Sequence, residues 1–391
     1  MKPYSKRRRI AGVVAVAAAM TAACTASPPA SLHASRPPAQ AIGCTIVHIS
    51  SGPAAVTSGQ HPRPGWLSVP GGDLLDVAAQ SSSSAYAVGA VRLDADHAKA
   101  LAAYWNGAVW RTLSNQALPR DSELDAVAAF PGGAWAVGEY GVNDDGDGGG
   151  FASHLLVRVT GTTVQRVPVP GPARGALVDV AATSASNAWA VGWTPGANQL
   201  FHWNGTAWTR SPLPAGMGGS FSAVAATSAT DVWAVTHPQR GKLPPIMHWN
   251  GRRWDQLTSP DIGMPYTLSD VAATSANDVW AVGSAPVDSY KAVILHWNGR
   301  NWTCARILRH GLSYRTLEAV TASSLDNAWA VGETSADNTL ALHWNGHSWK
   351  QVITRPPGFL HGVAVIPHSG NAWAVGGAET LMMYWDGTAW H

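Results

Sequence analysis

The segment AWAVG, or a close relative of it, occurs seven times in the 391-residue chain and constrains its fold more than any other feature. The copies lie 44 to 54 residues apart and are centred on Tyr86, Trp135, Trp189, Trp233, Trp280, Trp329 and Trp373. Repeats of about this length are typical of four-stranded β-propeller blades. The sequence therefore predicts an all-β fold, a seven-bladed propeller of four-stranded antiparallel blades, over residues 44–391.

Each repeat contains four short segments that we interpret as strands a to d. LSDVAATS and DVWAVG (residues 268–275 and 278–283) are apolar runs separated by turn residues, as expected of strands a and b. Strands c and d flank an Asn-Gly pair such as Asn298-Gly299, which predicts a type I′ turn with His296 opposite Asn301. Because side chains alternate along a strand, His296 and Trp297 are expected on opposite faces of the blade.

Recurring aromatic positions are expected to pack between blades. Eighteen of the twenty Trp occupy repeat positions, which leaves Trp66 and Trp193. A His recurs before the Trp of strand c at positions 202, 248, 296 and 343, and Tyr104 and Tyr384 stand in the same column. A Tyr-for-His exchange suits a flat packing residue, whereas a shared metal would need its ligands about 2 Å from one ion. The repeated His is therefore predicted to be structural.

The motifs SANDVWAVG (residues 275–283) and HWNGRNW (residues 296–302) resemble the Trp-rich tandem propeller repeats of secreted actinobacterial and myxobacterial proteins. They resemble more distantly the BNR, kelch and tachylectin propellers. The resemblance covers about four fifths of the chain and implies a propeller fold without a fixed activity. Unit 2 departs from it, since VTGTTV (residues 159–164) stands where the others have WNGxxW.

The N-terminus is predicted to direct export. Residues 1–23 contain KRRR and then an apolar run too short to span a bilayer, as in a signal peptide. TAAC (residues 21–24) resembles a bacterial lipobox, which would place a lipid on Cys24; ordinary secretion with Cys24 incidental is the alternative. Residues 24–43 are rich in Ala, Ser and Pro and are predicted to be a tether. The protein is thus expected to be secreted, or held on the outer face of the cell membrane by its lipid anchor alone.

Two other thiols and the charge balance limit the remaining possibilities. Cys44 and Cys304 are expected either to form a disulfide in an oxidising compartment or to remain two free buried thiols. Beyond the leader there are 21 basic and 24 acidic side chains, so the basic excess expected of a nucleic-acid-binding protein is absent. We expect a monomer.

Ring closure is predicted to involve the segment before the first repeat. The last unit stops at Trp390-His391, whereas GWLSVP (residues 65–70) resembles a strand d. We therefore expect residues 66–69 to pair with blade 7, since an unclosed ring would leave strand edges exposed.

The b–c and d–a loops vary in length and composition, so their face of the propeller is the candidate binding face. Two positions that open strand a carry polar residues there: Asp125, Glu318 and His361 at one, and Asp76, Asp179 and Asp270 at the other. These side chains could converge on a cation or on sugar hydroxyls, or each Asp could bond to the backbone of its own d–a turn. Trp193 opens a b–c loop, where it could stack on a ligand or lie buried under a neighbouring loop.

One loop resembles part of a calcium site. Asn143, Asp145 and Asp147 precede Gly148 with the spacing that opens a calcium-binding loop. The later positions carry Phe151 and His154, which supply no carboxylate, so a solvated flexible loop is the alternative. Calcium is the one cofactor that the sequence suggests.

The sequence predicts a non-catalytic binding or scaffolding module that recognises a protein or a glycan at the cell surface. The alternative is a hydrolase or lyase that uses Asp125, Glu318 or His361 for acid–base chemistry at the channel mouth. Paired carboxylates with raised pKa values would favour the enzyme. Scattered acids bonded to the backbone would favour the binding module.

Overall fold

The computed structural model describes residues 44–48, 67–94, 97–141, 152–171, 174–214, 217–286, 291–308, 315–334, 338–352, 354, 357–377 and 380–391. These residues form seven antiparallel sheets, one per repeat, and strands a of all seven contribute to the lining of a central channel. The predicted seven-bladed propeller is confirmed. The described part contains no helix, and hence none long and apolar enough to cross a membrane.

The strands follow the order a, b, c, d within each blade, from the channel outward. Blade 1 contains β2 (Gly72–Ser81), β3 (Ser84–Arg92), β4 (Ala98–Trp105) and β5 (Trp110–Thr112); blade 2 contains β6 (Ser122–Phe130), β7 (Gly133–Tyr140), β8 (Ser153–Thr160) and β9 (Thr163–Arg166); blade 3 contains β10 (Ala176–Ser184), β11 (Asn187–Thr194), β12 (Ala197–Trp203) and β13 (Trp208–Arg210).

Blades 4 to 6 repeat this order, blade 7 contains strands a to c, and one additional strand, β1 (Thr45–His48), precedes blade 1. Blade 4 contains β14 (Phe221–Ser228), β15 (Asp231–Thr236), β16 (Ile246–Trp249) and β17 (Trp254–Leu257); blade 5 contains β18 (Thr267–Ser275), β19 (Asp278–Ala285), β20 (Lys291–Trp297) and β21 (Trp302–Leu308); blade 6 contains β22 (Arg315–Ser324), β23 (Asn327–Thr334), β24 (Thr339–Trp344) and β25 (Trp349–Val352); blade 7 contains β26 (Leu360–Val365), β27 (Ala372–Gly376) and β28 (Leu381–Trp385).

The propeller has two unlike faces. The a–b turns and c–d turns, such as 275–278 and 298–301, lie on what we call the turn face, and every one of them is described. The b–c and d–a loops, such as 194–197 and 112–122, lie on the opposite face, which we call the loop face. The loop face carries the variable segments.

The core consists of seven separate apolar clusters, one between each pair of neighbouring blades. A Trp triplet lies at the centre of most of them. Trp280 of strand b contacts Trp344 and Trp349 of the next blade, each at a centroid distance of 5.2 Å, one tilted and one edge-on. Edge-on and tilted contacts are favourable for aromatic rings, and such large side chains fill the space that widens outward between blades.

The blade 1–blade 2 interface is the exception to this pattern. Tyr86 replaces the strand b Trp in blade 1, and Val159 and Val164 replace the Trp pair in blade 2. These two departures from the repeat meet in one cluster. At this interface Tyr86, which is smaller than Trp, therefore packs against two Val side chains, which are smaller than the usual pair of Trp.

The repeated His lies flat on the strand b Trp of its own blade. His296 stacks on Trp280 at 3.9 Å and donates a hydrogen bond from Nε2 to Asp278 (2.7 Å). Burial raises the pKa of Asp278, but hydrogen bonds from His296 and Thr274 outweigh it, so the pKa is lowered overall. The other three His make the same contacts, with Asn187, Asp231 and Asn327 as acceptors. The structural role predicted for this column fits these contacts, and Arg158 fills it in blade 2 by lying over Trp135.

The c–d turns differ from the prediction. The pairing is Trp297 with Trp302 and His296 with Thr303, so the loop holds four residues instead of two. Asn298 Oδ1 accepts hydrogen bonds from the backbone N–H groups of Arg300 and Asn301, and positive φ occurs at Gly299 alone. An Asx turn therefore replaces the expected type I′ turn. Because the register shifts by two residues, His296 and Trp297 still occupy opposite faces.

The predicted closing segment, residues 66–69, is not a strand where it is described, but its end contacts blade 7, because Val69 N–H donates a hydrogen bond to Thr380 Oγ1. Residues 67–69 form no strand, and residues 65 and 66 lie outside the described part. The ring closes through the usual triplet, since Trp373 of blade 7 contacts Trp105 and Trp110 of blade 1. The outer edge of β28 is met by the chain's own His391, which exchanges two backbone hydrogen bonds with Tyr384.

The N-terminal strand joins a different blade. β1 pairs in parallel with β21 and makes blade 5 a five-stranded sheet. Cys44 and Cys304 form a disulfide beside it, with a Cα–Cα distance of 4.6 Å. β21 is longer than the other outer strands, and β1 covers the edge that this length would expose.

We expect the double substitution Cys44→Ser/Cys304→Ser to lower the free energy of unfolding by about 2–5 kcal/mol, because the bridge joins residues 260 apart and restricts the unfolded chain. Denaturant titration without reductant measures this. Dithiothreitol should destabilise the native sequence and leave the double variant unchanged. Equal stability of the two proteins without reductant would contradict the prediction.

The His column gives a second prediction. We expect His296→Ala to cost about 2–3 kcal/mol, because it removes a stacked ring and leaves buried Asp278 without its donor. His296→Tyr should cost about 1 kcal/mol or less, since Tyr104 and Tyr384 already occupy this column. Circular dichroism during urea unfolding distinguishes the two variants, and equal losses would argue against a packing role.

Candidate functional site

A β-bulge interrupts strand a of every blade near the loop face. The pairing of strands a and b skips one residue of strand a at the same repeat position each time. The extra residues are Leu75, Asp125, Val178, Ser222, Ser269, Glu318 and His361. Bulges often re-aim side chains at functional sites. The position that carries Asp125, Glu318 and His361 is thus the bulge position of the ring.

Five of these bulge residues line a cavity of about 140 Å³ in the central channel. The charged or polar residues of its described lining are Asp76, Asp179, Asp270, Glu318, His361, Ser222 and Ser269, and this part of the lining contains no Lys or Arg. The cavity therefore favours cationic groups and hydroxyl donors. Its volume suits one side chain or one sugar ring and not a folded segment.

Three of the candidate carboxylates connect neighbouring blades. Asp76 Oδ1 accepts a hydrogen bond from its neighbour Val77 (2.8 Å), and Oδ2 accepts one from Val127 of blade 2 (2.8 Å). Asp179 and Asp270 repeat this arrangement between blades 3 and 4 and between blades 5 and 6. We call these three residues the aspartate clamps. The bonds described above go to strand a amides of the same blade and of the next blade.

Glu318 and His361 are brought together on neighbouring blades, whereas Asp125 is separated from them. Glu318 and His361 line the same cavity from the bulges of blades 6 and 7. His361 is buried. Asp125, on blade 2, is 2% exposed and does not line the cavity.

Asp73 is a titratable group that the sequence did not single out. It lies on β2 where blade 1 meets blade 7, and its Oδ1 is buried without a hydrogen bond among the described residues. Burial raises the pKa of this carboxyl to about 7, although Arg92 lowers it. A Cβ placed on Gly377 would lie 3.0 Å from Asp73 Oδ1 and 3.4 Å from His361 Nε2, so the two side chains face one small space.

Trp193 lies on the loop face of blade 3, at the end of strand b. Its side chain is half-buried. Its carbonyl lies 3.1 Å from His154 Nε2 of blade 2, which is placed to donate a hydrogen bond to it, and burial lowers the pKa of His154. The backbone of Trp193 is therefore held in place while part of the indole ring stays accessible.

Four candidate residues are not among those that the structure describes. Cys24, Asn143, Asp145 and Asp147 lie beyond the described residues. Within the described ranges, no group of three or more His, Cys, Asp or Glu side chains is placed to hold a metal ion.

No protein-family model matches the sequence, and no curated protein matches it. Solved structures match its fold. YCF48 bound to a D1 peptide is 15% identical, over 83% of this chain and 96% of that one, with a TM-score of 0.55. Streptogramin B lyase is 11% identical, over 79% and 92%, with a TM-score of 0.55.

A GH74 xyloglucanase from Xanthomonas campestris is 14% identical, over 81% of this chain and 52% of that one, with a TM-score of 0.53. At these identities the likeness concerns the fold alone. The three propellers comprise a peptide-bound protein and two enzymes. Fold therefore leaves the activity open, and the argument for function depends on the site.

Asp73 leads to a prediction about pH. Its folded pKa of about 7 exceeds the ordinary 3.8, so its contribution to stability is complete below about pH 4 and is lost as the pH rises through 7. Asp73→Asn removes this titration. Between pH 5 and pH 8, we expect the free energy of unfolding of the variant to rise by on the order of 2 kcal/mol relative to that of the native protein, after allowing for partial exposure of Asp73.

Denaturant titration at pH 5 and at pH 8 measures this difference in the free energy of unfolding. Asp326→Asn, an exposed carboxylate on the turn face, serves as the control and should follow the native protein. If Asp73→Asn and the native protein respond to pH in the same way, Asp73 does not titrate as described.

Proposed function

We propose that the protein is a non-catalytic binding module that is exported, held at the outer face of the cell membrane by a lipid on Cys24, and recognises a protein or a glycan through its loop face. The leader and the TAAC sequence support export and lipidation. The variable loops and the accessible ring of Trp193 support recognition by the loop face.

The bonding of the aspartate clamps is the observation that carries this proposal. Each of the three carboxylates accepts two backbone N–H bonds, one of them from the next blade. These bonds engage both oxygens of each carboxylate and fix it in place. These acids are therefore suited to stabilising the ring and presenting fixed negative charge, and poorly suited to exchanging protons with a substrate.

The chemistry of the cavity suggests what the ligand presents. A lysine or arginine side chain, or a sugar ring with several hydroxyl groups, would fit a space of about 140 Å³ lined by carboxylates. Trp193 could cover an apolar part of the same ligand, since β10 carries both its strand partner Ala176 and the cavity residue Val178. YCF48, a propeller of the same fold, holds a peptide, which supports a protein ligand.

A second candidate function has a specific observation in its favour. Asp73, with a pKa near 7, and His361 face one small space beside the channel mouth. Groups that titrate near neutral pH are suited to general acid–base catalysis. A hydrolase or lyase would use this pair. If the protein turns over a glycan or peptide and Asp73→Asn loses this activity, the protein is such an enzyme and not a non-catalytic binding module.

The binding proposal is tested by photo-crosslinking the full-length protein on cells, identifying the partner, and measuring its affinity. We expect Trp193→Ala to weaken binding at least tenfold, because aromatic side chains at a binding surface often dominate recognition. Leu325→Ala is the matched control, since Leu325 is 63% exposed on the turn face and should leave affinity unchanged. Unaltered affinity of Trp193→Ala, or an equal loss in the control, would count against the loop face.

A further inference from the structure

The turn face carries more exposed cations than carboxylates. All of its turns are described, so its charges can be compared directly. Its exposed cations are Arg111, Arg210, Arg252, Arg253, Arg300 and Lys350. Its acids outside the buried His contacts are Asp255, Asp326 and Asp386, two of which are already engaged with Arg253 and His391. The exposed charges of this face are therefore net positive, although the buried Asp231 and Asp278 add two carboxylates to it and the chain beyond the leader is net negative.

Three of the arginines form what we call the arginine corner, Arg252, Arg253 and Arg300, in the c–d turns of blades 4 and 5. Their turns are fixed by Asx bonds, since Asn250 Oδ1 accepts from both Arg252 and Arg253 and Asn298 Oδ1 accepts from Arg300. All three side chains are exposed. No ion pair joins Arg252 or Arg300 to a carboxylate of the described residues, so both are available to an external anion.

The attachment of the N-terminus lies at the same corner. The disulfide places Cys44 beside Cys304, three residues after the c–d turn of blade 5. Because β1 runs parallel to β21, it leads away from the turn face. β1 therefore begins at the end nearer the turn face, on the blade that carries Arg300.

From this juxtaposition we propose that the turn face rests on an anionic membrane surface, with the arginine corner in contact with lipid phosphates and the loop face directed away from the membrane. The orientation goes beyond the proposed function and rests on it only for the lipid on Cys24. A single weak membrane signal gives reversible binding, whereas a lipid combined with a basic patch gives stable attachment. The exposed arginines of the fixed c–d turns supply that second signal.

Full-length Cys24→Ser protein separates this proposal from the lipid anchor. We expect it to bind vesicles of phosphatidylglycerol and phosphatidylcholine, to release them as salt is raised, and to ignore vesicles of phosphatidylcholine alone. Arg252→Gln/Arg253→Gln/Arg300→Gln should weaken binding at least tenfold. The matched control, Arg120→Gln/Arg240→Gln/Lys242→Gln, removes three exposed cations from the loop face and should bind as before.

Orientation is measured with an environment-sensitive dye placed at Thr206 on the turn face or at Ala197 on the loop face, both exposed. Nitroxide-labelled lipid should quench the dye at Thr206 and spare the dye at Ala197. Unchanged binding of the arginine variant, an equal loss in the control, or quenching at Ala197 instead would overturn the proposal. If the vesicles bind in a charge-dependent way but Cys24 carries no lipid in cells, the lipid anchor of the proposed function is wrong, and the membrane-binding turn face is still supported.

Discussion

The contact of one strand b tryptophan with two tryptophans of the next blade is the interaction on which the ring depends. It recurs at six of the seven interfaces, and the blade 7–blade 1 interface uses it as the others do. Because the apolar core is divided into seven clusters, no central core can compensate for a lost interface. This explains why closure needs no strand from residues 67–69. It also explains why Tyr86 is tolerated where blade 2 has lost its own Trp pair.

The repeat made most of the fold predictable, because side chains at equivalent positions meet nearly identical surroundings. Blade number, strand order and the role of His296 followed from that regularity. Features that occur once were not predictable in the same way. The possible Cys44–Cys304 disulfide indicated a contact between residues 260 apart, but no local pattern indicated that Thr45–His48 would add a parallel strand to blade 5. The four-residue turn at Asn298 was missed because its side-chain bonds to Arg300 and Asn301 compete with the backbone geometry that Asn-Gly usually favours.

The candidate site was predictable in position and less so in role. Variation among repeats located the bulge residues Glu318 and His361, but the bulge itself becomes apparent only from the pairing of strands a and b. The role of Asp76 depends on an amide of the next blade, which sequence spacing within one repeat cannot show. Asp73 stood at a position where the other repeats vary freely, so only its burial at the blade 7–blade 1 interface reveals its altered pKa.

The two faces differ because the scaffold uses their side chains differently. On the turn face, Asx bonds within the c–d turns and bonds from strand c Trp side chains to a–b turn carbonyls, such as Trp297 to Ala276, hold the turns in one conformation. Fixed turns hold charges at constant spacing, which suits a broad and unspecific surface such as a membrane. On the loop face, the aspartate clamps are already committed to backbone amides, so changing them would alter stability and binding together. Residues that the ring does not need, such as Glu318 and Trp193, can vary without that penalty, and specificity for a ligand is therefore expected to reside in them.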